Sequence, residues 1–184
     1  MTASPTHLYD DNVELSIFRV LSLGWVASVT YPVYFDDYFA DPQNLRALTA
    51  GTDEQKWATA IVLDNKTGAG GVTLVQLDFY FRVGSKAASP SARFNAALTG
   101  MVRGFKVAMV NYLGSVNRTV PVYDFSSDAS NPTLTRGLLE FLGEDGRLAM
   151  GAGTRRMPTL DGTRRQTVTL RVRHTEDRPS VQRS

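Results

Sequence analysis

Cysteine is absent from this 184-residue chain, which excludes disulfides, thiol nucleophiles and cysteine-ligated metal. Histidine is almost absent: there are only His7 and His174. Neither has metal-motif spacing, and each falls in or beside a stretch expected to be mobile, whereas the base that activates a nucleophile has to be held rigidly. No apolar run approaches the roughly 20 residues of a membrane span. Residues 1–10 lack the basic-then-apolar order of a signal peptide, so synthesis in the cytoplasm is the expectation. Aromatic side chains stop at Phe141, which leaves the last part of the chain without the stacking platforms that single-strand nucleic-acid binders use.

What is present suits one folded domain. A hydrophobic share of 42% and a charged share of 21% are ordinary for a globular chain, and this length buries a sizeable core. The net charge of +2 is unevenly spread. Residues 147–184 hold nine arginines against Asp161, Glu176 and Asp177, a local balance of +6 that leaves −4 for the rest. Every basic residue there is arginine, which suits bidentate contact with carboxylate or phosphate. The alternative is a solvated strand face followed by a loose tail.

Residues 1–10 read as a flexible lead and residues 11–143 as the core. An amphipathic helix starts near Asp11, with Val13, Ile17, Val20 and Leu21 at helical spacing. Asp11 or Asn12 is positioned to cap it and Gly24 to stop it. VTYPVYF, residues 29–35, is β-branched and aromatic, but Pro32 makes it an edge strand or an extended connector. Residues 57–63 and 72–83 alternate as two strands joined by the glycine-rich DNKTGAGG, a hairpin link. That link is not a phosphate loop, since no helix and no Gly-Lys-Ser/Thr ending follows.

Ser89 and Pro90 open the longest helix as N-cap and first helical residue. Its apolar stripe runs through Phe94, Ala97, Leu98, Met101, Phe105, Ala108, Met109 and Tyr112, and Gly114 ends it. Gly100 and Gly104 make a G-x-x-x-G pair that would allow close packing, which should offset the helix stability they cost. TVPVYDF at 119–125 reads as a strand; 134–143 fits strand or helix equally. Residues 144–165 form a glycine-rich extended loop or β-arm, residues 166–174 a strand, and residues 175–184 a flexible tail. Helix, extended segment, hairpin, long helix and strands predict an α+β fold, an antiparallel sheet with helices on one face and a glycine- and arginine-rich C-terminal extension.

No catalytic constellation emerges. Asp36 and Asp37 are adjacent on an extended chain, point apart and make a poor acid–base pair; an acidic interface patch is the better reading. Asp78 shares the outward side of its strand with Gln76, Tyr80 and Arg82, where a salt bridge is favoured over catalysis. Asp124 is placed to cap the following loop. No cofactor or metal site is expected. The arginines at 147, 155, 156, 164, 165, 171 and 173 would neutralise several phosphates, yet no helix-turn-helix, zinc-finger or ribonucleoprotein motif accompanies them. That leaves nonspecific nucleic-acid contact as the alternative role.

From about Val13 to Phe125 the chain resembles the tail terminator proteins of tailed bacteriophages. The resemblance is carried together by the opening helix, YPVYFDD, KWATAIVLDN, VTLVQLDFYFRV ending near Arg82, the long helix and the closing VPVYDF. Related tail-completion and neck proteins share the small fold. The resemblance implies a structural virion protein without enzyme activity. Its subunits would form a ring, expected to be sixfold, that caps the tail tube protein, meets the neck or connector protein at the head, and lets DNA pass through its lumen. A ring interface of this kind joins two different patches of one subunit, and the candidates are Asp36, Asp37 and Asp41 on one side and Arg82, Arg155, Arg156, Arg164 and Arg165 on the other. The extension after residue 143 departs from compact members of the family and would serve as an arm to a neighbouring ring.

Overall fold

A computed structural model describes residues 5–26, 31–35, 54–64, 71–82, 90–116, 119–128, 130–141, 148, 150, 157–158 and 163–176. Helix α1 spans Pro5–Val26, beginning well before Asp11 because proline at a first helical position is pre-set for the helix and has no N–H to orphan. Pro5–Asp10 therefore belongs to the helix and not to a flexible lead. Asn12 is correspondingly interior to α1 and buried, rather than a cap. Gly24 does not stop the helix. A Cβ at Gly24 would lie 2.5 Å from Met109 Sδ and 3.2 Å from Tyr112 Cδ1, so its bare Cα is what lets another helix approach.

That other helix is α2, Pro90–Ser115. Phe94, Leu98, Met101, Phe105, Ala108, Met109 and Leu113 are buried along one stripe, as the 3.6-residue period requires. The G-x-x-x-G pair is not a packing device among the described residues. Gly100 and Gly104 face outward, and a Cβ at either would meet nothing within 4 Å.

Seven strands form one curled sheet: β1 Val33–Phe35, β2 Gln55–Asp64, β3 Val72–Arg82, β4 Thr119–Asp124, β5 Thr133–Glu140, β6 Met157–Pro158 and β7 Thr163–Glu176. The order is β1-β2-β3-β7-β5-β4, with β6 pairing beside β7. All pairings are antiparallel except β1 with β2. The wholly antiparallel sheet expected from sequence is corrected there, because the chain between Phe35 and Glu54 returns β2 alongside β1 in the same direction. Pro32 still uses its carbonyl, which accepts from the Ala58 N–H at 3.0 Å, and β1 lies at a sheet edge as its proline demanded. Of the undecided stretch 134–143, the part through Glu140 is strand, and residues 142 and 143 lie outside the described residues. β7 begins earlier and ends later than 166–174, so Thr175 and Glu176 are strand rather than tail.

One face of β2, β3 and β7, with Ala58, Ala60, Val75, Leu77, Phe79, Phe81, Val168, Leu170 and Val172, joins the buried stripes of both helices in a single core. At the far edge α1 closes β4. The Tyr123 N–H donates to Ser16 Oγ at 2.8 Å and the Phe125 N–H to Asn12 Oδ1 at 2.9 Å. Four helical residues rise about 6 Å and two strand residues about 6.6 Å, so one turn of α1 matches alternate amides of β4.

Candidate functional site

Strand register assembles the site. Reading across β2, β3 and β7, one row is Gln55, Arg82 and Thr163, the next Lys56, Phe81 and Arg164, and the third Trp57, Tyr80 and Arg165. Neighbouring strands lie about 4.8 Å apart, so three adjacent rows gather four cations within a small area. Lys56 and Arg164 sit on the side chosen by Phe81, which faces the helices, while Arg82 and Arg165 share the opposite side with Tyr80. The start of α2 adds Arg93 at the same end of the sheet.

Each of several cations is held by a specific neighbour. The Arg164 guanidinium lies 4.6 Å from the Phe94 ring centroid, and Lys56 Nζ lies 5.7 Å from that of Phe81. Phe94 itself meets Phe81 edge-on, with centroids 5.7 Å apart. Glu54 draws Lys56 to 3.7 Å and also pairs with Arg93. On the other side Arg165 Nη1 lies 3.6 Å from Asp78 Oδ2. Asp78 also accepts from Gln76 Nε2 at 2.8 Å and from the Thr167 hydroxyl. Tyr80 stacks on Trp57, with centroids 5.1 Å apart and planes 3° from parallel. Burial is the main reason the Tyr80 hydroxyl titrates above its ordinary range, with the Asp78 charge adding to the shift and hydrogen bonds from Arg165 and Thr59 opposing it.

Among the described residues, Lys56, Arg82, Arg93, Arg164 and Arg165 thus stand with two carboxylates, Glu54 and Asp78, a formal excess of three positive charges at this end. An arginine pre-oriented by a carboxylate keeps further donors in a planar fork, suited to a second carboxylate or a phosphate.

Of the sequence candidates, Arg82, Arg164 and Arg165 are brought together here. Asp36, Asp37, Asp41, Arg155 and Arg156 lie outside the described residues. Lys56, Arg93 and Glu54 were not singled out from sequence; only the register that sets Lys56 level with Arg164 identifies them. Asp78 is 2% exposed and forms the expected cross-strand ion pair, buried rather than outward in solvent. His174 is 1% exposed within β7, with its N–H donating to the Gly71 carbonyl at 3.0 Å. The expectation of a mobile setting is therefore corrected: it shares the buried side of Val172 and is held by strands on both flanks.

Asp124 caps its loop by accepting from the Ser126 N–H at 2.9 Å, and also receives Asn12 Nδ2 at 3.2 Å. Those donors, Ser126 first, hold its carboxyl below the ordinary carboxylate range. Among the described residues no three His, Asp or Glu side chains converge as a metal site, and no helix is long and apolar enough to cross a membrane. Compared with family models, curated proteins and solved structures, the chain has no match.

Proposed function

We propose that this chain is a structural subunit that assembles into a ring in a phage tail or neck, in the manner of the tail terminators it resembles. The observation that carries the reading is element order. The opening amphipathic helix, the YPVYF edge strand, the hairpin, the long helix and the closing VPVYD strand, on which the resemblance rested, occur as α1, β1, β2–β3, α2 and β4. We read the two helices as one layer against one sheet face, since their buried stripes share a single core with alternate residues of β2, β3 and β7.

In this reading the work is mechanical, without a catalytic step. Six copies pair through unlike patches, the ring stops growth of the tail tube protein, and its free side receives the neck or connector protein. The chain is made in the host cytoplasm and ends in the virion. The basic end of the sheet supplies one half of the subunit contact. Native mass spectrometry and negative-stain microscopy of the purified chain test this: rings of six, or stacked tubes, are expected. A persistent monomer that binds DNA with steep salt dependence overturns it.

A second reading is nonspecific nucleic-acid binding by the basic C-terminal region. It draws on Arg171, which is exposed on β7 two residues from Arg173. Arginine to phosphate contacts predict affinity falling with the logarithm of salt concentration, by a slope of about −0.9 per phosphate neutralised. A filter-binding series from low to high salt separates this reading from the first.

A further inference from the structure

Among the described residues charge is unevenly placed: cations crowd the start of β7, and the exposed Arg171 and Arg173 follow farther along the strand. The basic end lies where β7 begins, at Thr163–Arg165 against Phe81 and Arg82. The last residues of β7, Arg173–Glu176, pair with Glu140–Gly137 of β5. Because β5 starts at Thr133 and runs antiparallel to β7, the connection from β4 to β5 projects past the end of β7 that is remote from the basic rows. That connection carries Asp124 and Asp128. From Arg164 to Glu176 the strand spans about 40 Å at roughly 3.3 Å per residue.

The partners of Asp124 are the Ser126 N–H and Asn12 Nδ2, and those of Asp128 are the Ser130 and Asn131 N–H groups at 2.8 and 3.3 Å, all neutral donors. Glu14 and Arg19 both stand in α1 near this connection, with the Arg19 guanidinium 5.0 Å from the Tyr123 ring centroid, so the negative charge here rests on Asp124 and Asp128. At physiological salt a charge is screened over about 8 Å, so the acidic and basic ends of one chain do not neutralise each other.

We propose that the basic end, centred on Lys56, Arg82, Arg164 and Arg165, is a docking surface for the acidic β4–β5 connection of a second copy of this chain. Each copy carries both halves, so contact is head-to-tail, the heterologous geometry that closes into a ring or continues as a filament according to its rotation angle. The occupant is a carboxylate-bearing protein surface rather than nucleic acid because the aromatic rings here are already used. Phe81 and Phe94 are buried beneath cations, and Trp57 and Tyr80 are stacked on each other. None is presented for a base to stack on. Arg165 and Arg93 are already oriented by single carboxylates, and a second carboxylate extends that geometry. This inference rests on the ring-subunit reading for its setting, but its contact is specific enough to fail separately.

The test is charge-reversal complementation with the full chain, read by sedimentation velocity at low and high salt. One variant carries Lys56→Glu and Arg82→Glu. The other carries Asp124→Asn, Ser127→Lys and Asp128→Asn, in which each asparagine keeps the Oδ1 acceptor its loop uses. Thermal melts establish that both are folded, and salt titration of the unmodified chain supplies an independent measurement.

The expected result is self-association that weakens with salt, falls about tenfold or more in either variant alone, as like-charge contact costs several kcal/mol, and returns when the two variants are mixed. Association equally strong in both variants overturns the docking surface while leaving ring assembly standing. No self-association of the unmodified chain at any salt or concentration overturns ring assembly, and the inference with it. A chain that stays monomeric and binds a short DNA duplex through Lys56 and Arg82 gives the surface to nucleic acid and overturns the proposal.

Discussion

Glycine substitutions separate two roles that look alike in a helix. Replacing Gly100 or Gly104 by alanine fills open space and should stabilise the chain by about 0.5–1 kcal/mol each, seen as a Tm rise of about 1–4 °C. Gly24→Ala gains the same helix propensity, but its new methyl meets Met109 and Tyr112, so no gain or a net loss is expected. Buried Asp78 offers a second contrast. Asp78→Ala removes the acceptor of Thr167 and Gln76 and the charge facing Arg165, costing about 2 kcal/mol. Asp78→Asn keeps an acceptor for Thr167 and should cost less, and urea denaturation ranks the two. Asp124 sets a pH signature. Its folded pKa is depressed, so its contribution is full above the unfolded carboxylate value near 4 and is lost as pH falls through the folded value. Asp124→Asn should therefore flatten the loss of stability below about pH 4, measured by denaturation across pH.

Elements report how far sequence periodicity reaches. The buried stripes of α1 and α2 and the alternation of β3 and β7 were legible because a single core selects every third or fourth helical residue and every second strand residue, whereas in β2 the alternating set Trp57, Thr59, Ile61 and Leu63 lies opposite Ala58 and Ala60, the residues that join the core. What was illegible depends on partners distant in sequence. Asn12 and Ser16 look like a cap and an indifferent helical polar residue until β4 lies alongside, when they accept the amides of Phe125 and Tyr123. Lys56 and Arg93 join the basic end only through register and the docking of α2. Gly24 looked like a stop because local signals cannot show that Met109 and Tyr112 pack over it. The α1–β4 contact carries its own prediction. Ser16→Ala orphans the Tyr123 N–H and should cost about 1–2 kcal/mol, whereas Asn111→Ala on the exposed side of α2 should be nearly neutral. Because the lost acceptor also uncovers a strand edge, Ser16→Ala should aggregate faster on heating, followed by light scattering.

At the scale of the whole molecule, chain order and sheet order disagree. β7 is the last of the described strands in chain order, yet it sits in the middle of the sheet, between β3 and β5. The ribosome therefore completes α1, α2 and β1–β6 before the strand that joins the β2–β3 hairpin to the β4–β5 hairpin exists. Until Thr163–Glu176 emerges, β3 is an open edge bearing Val75, Leu77, Phe79 and Phe81, and neighbouring nascent chains on one message present the same edge to one another. Removing residues 163–184, and β7 with them, should leave the β2–β3 and β4–β5 hairpins unjoined and an insoluble product, as solubility and circular dichroism of the truncation would record. Supplied separately, the strand Thr163–Glu176 is by the same logic a late-acting closure, and the interval between synthesis of β3 and arrival of β7 is when this protein most needs a chaperone.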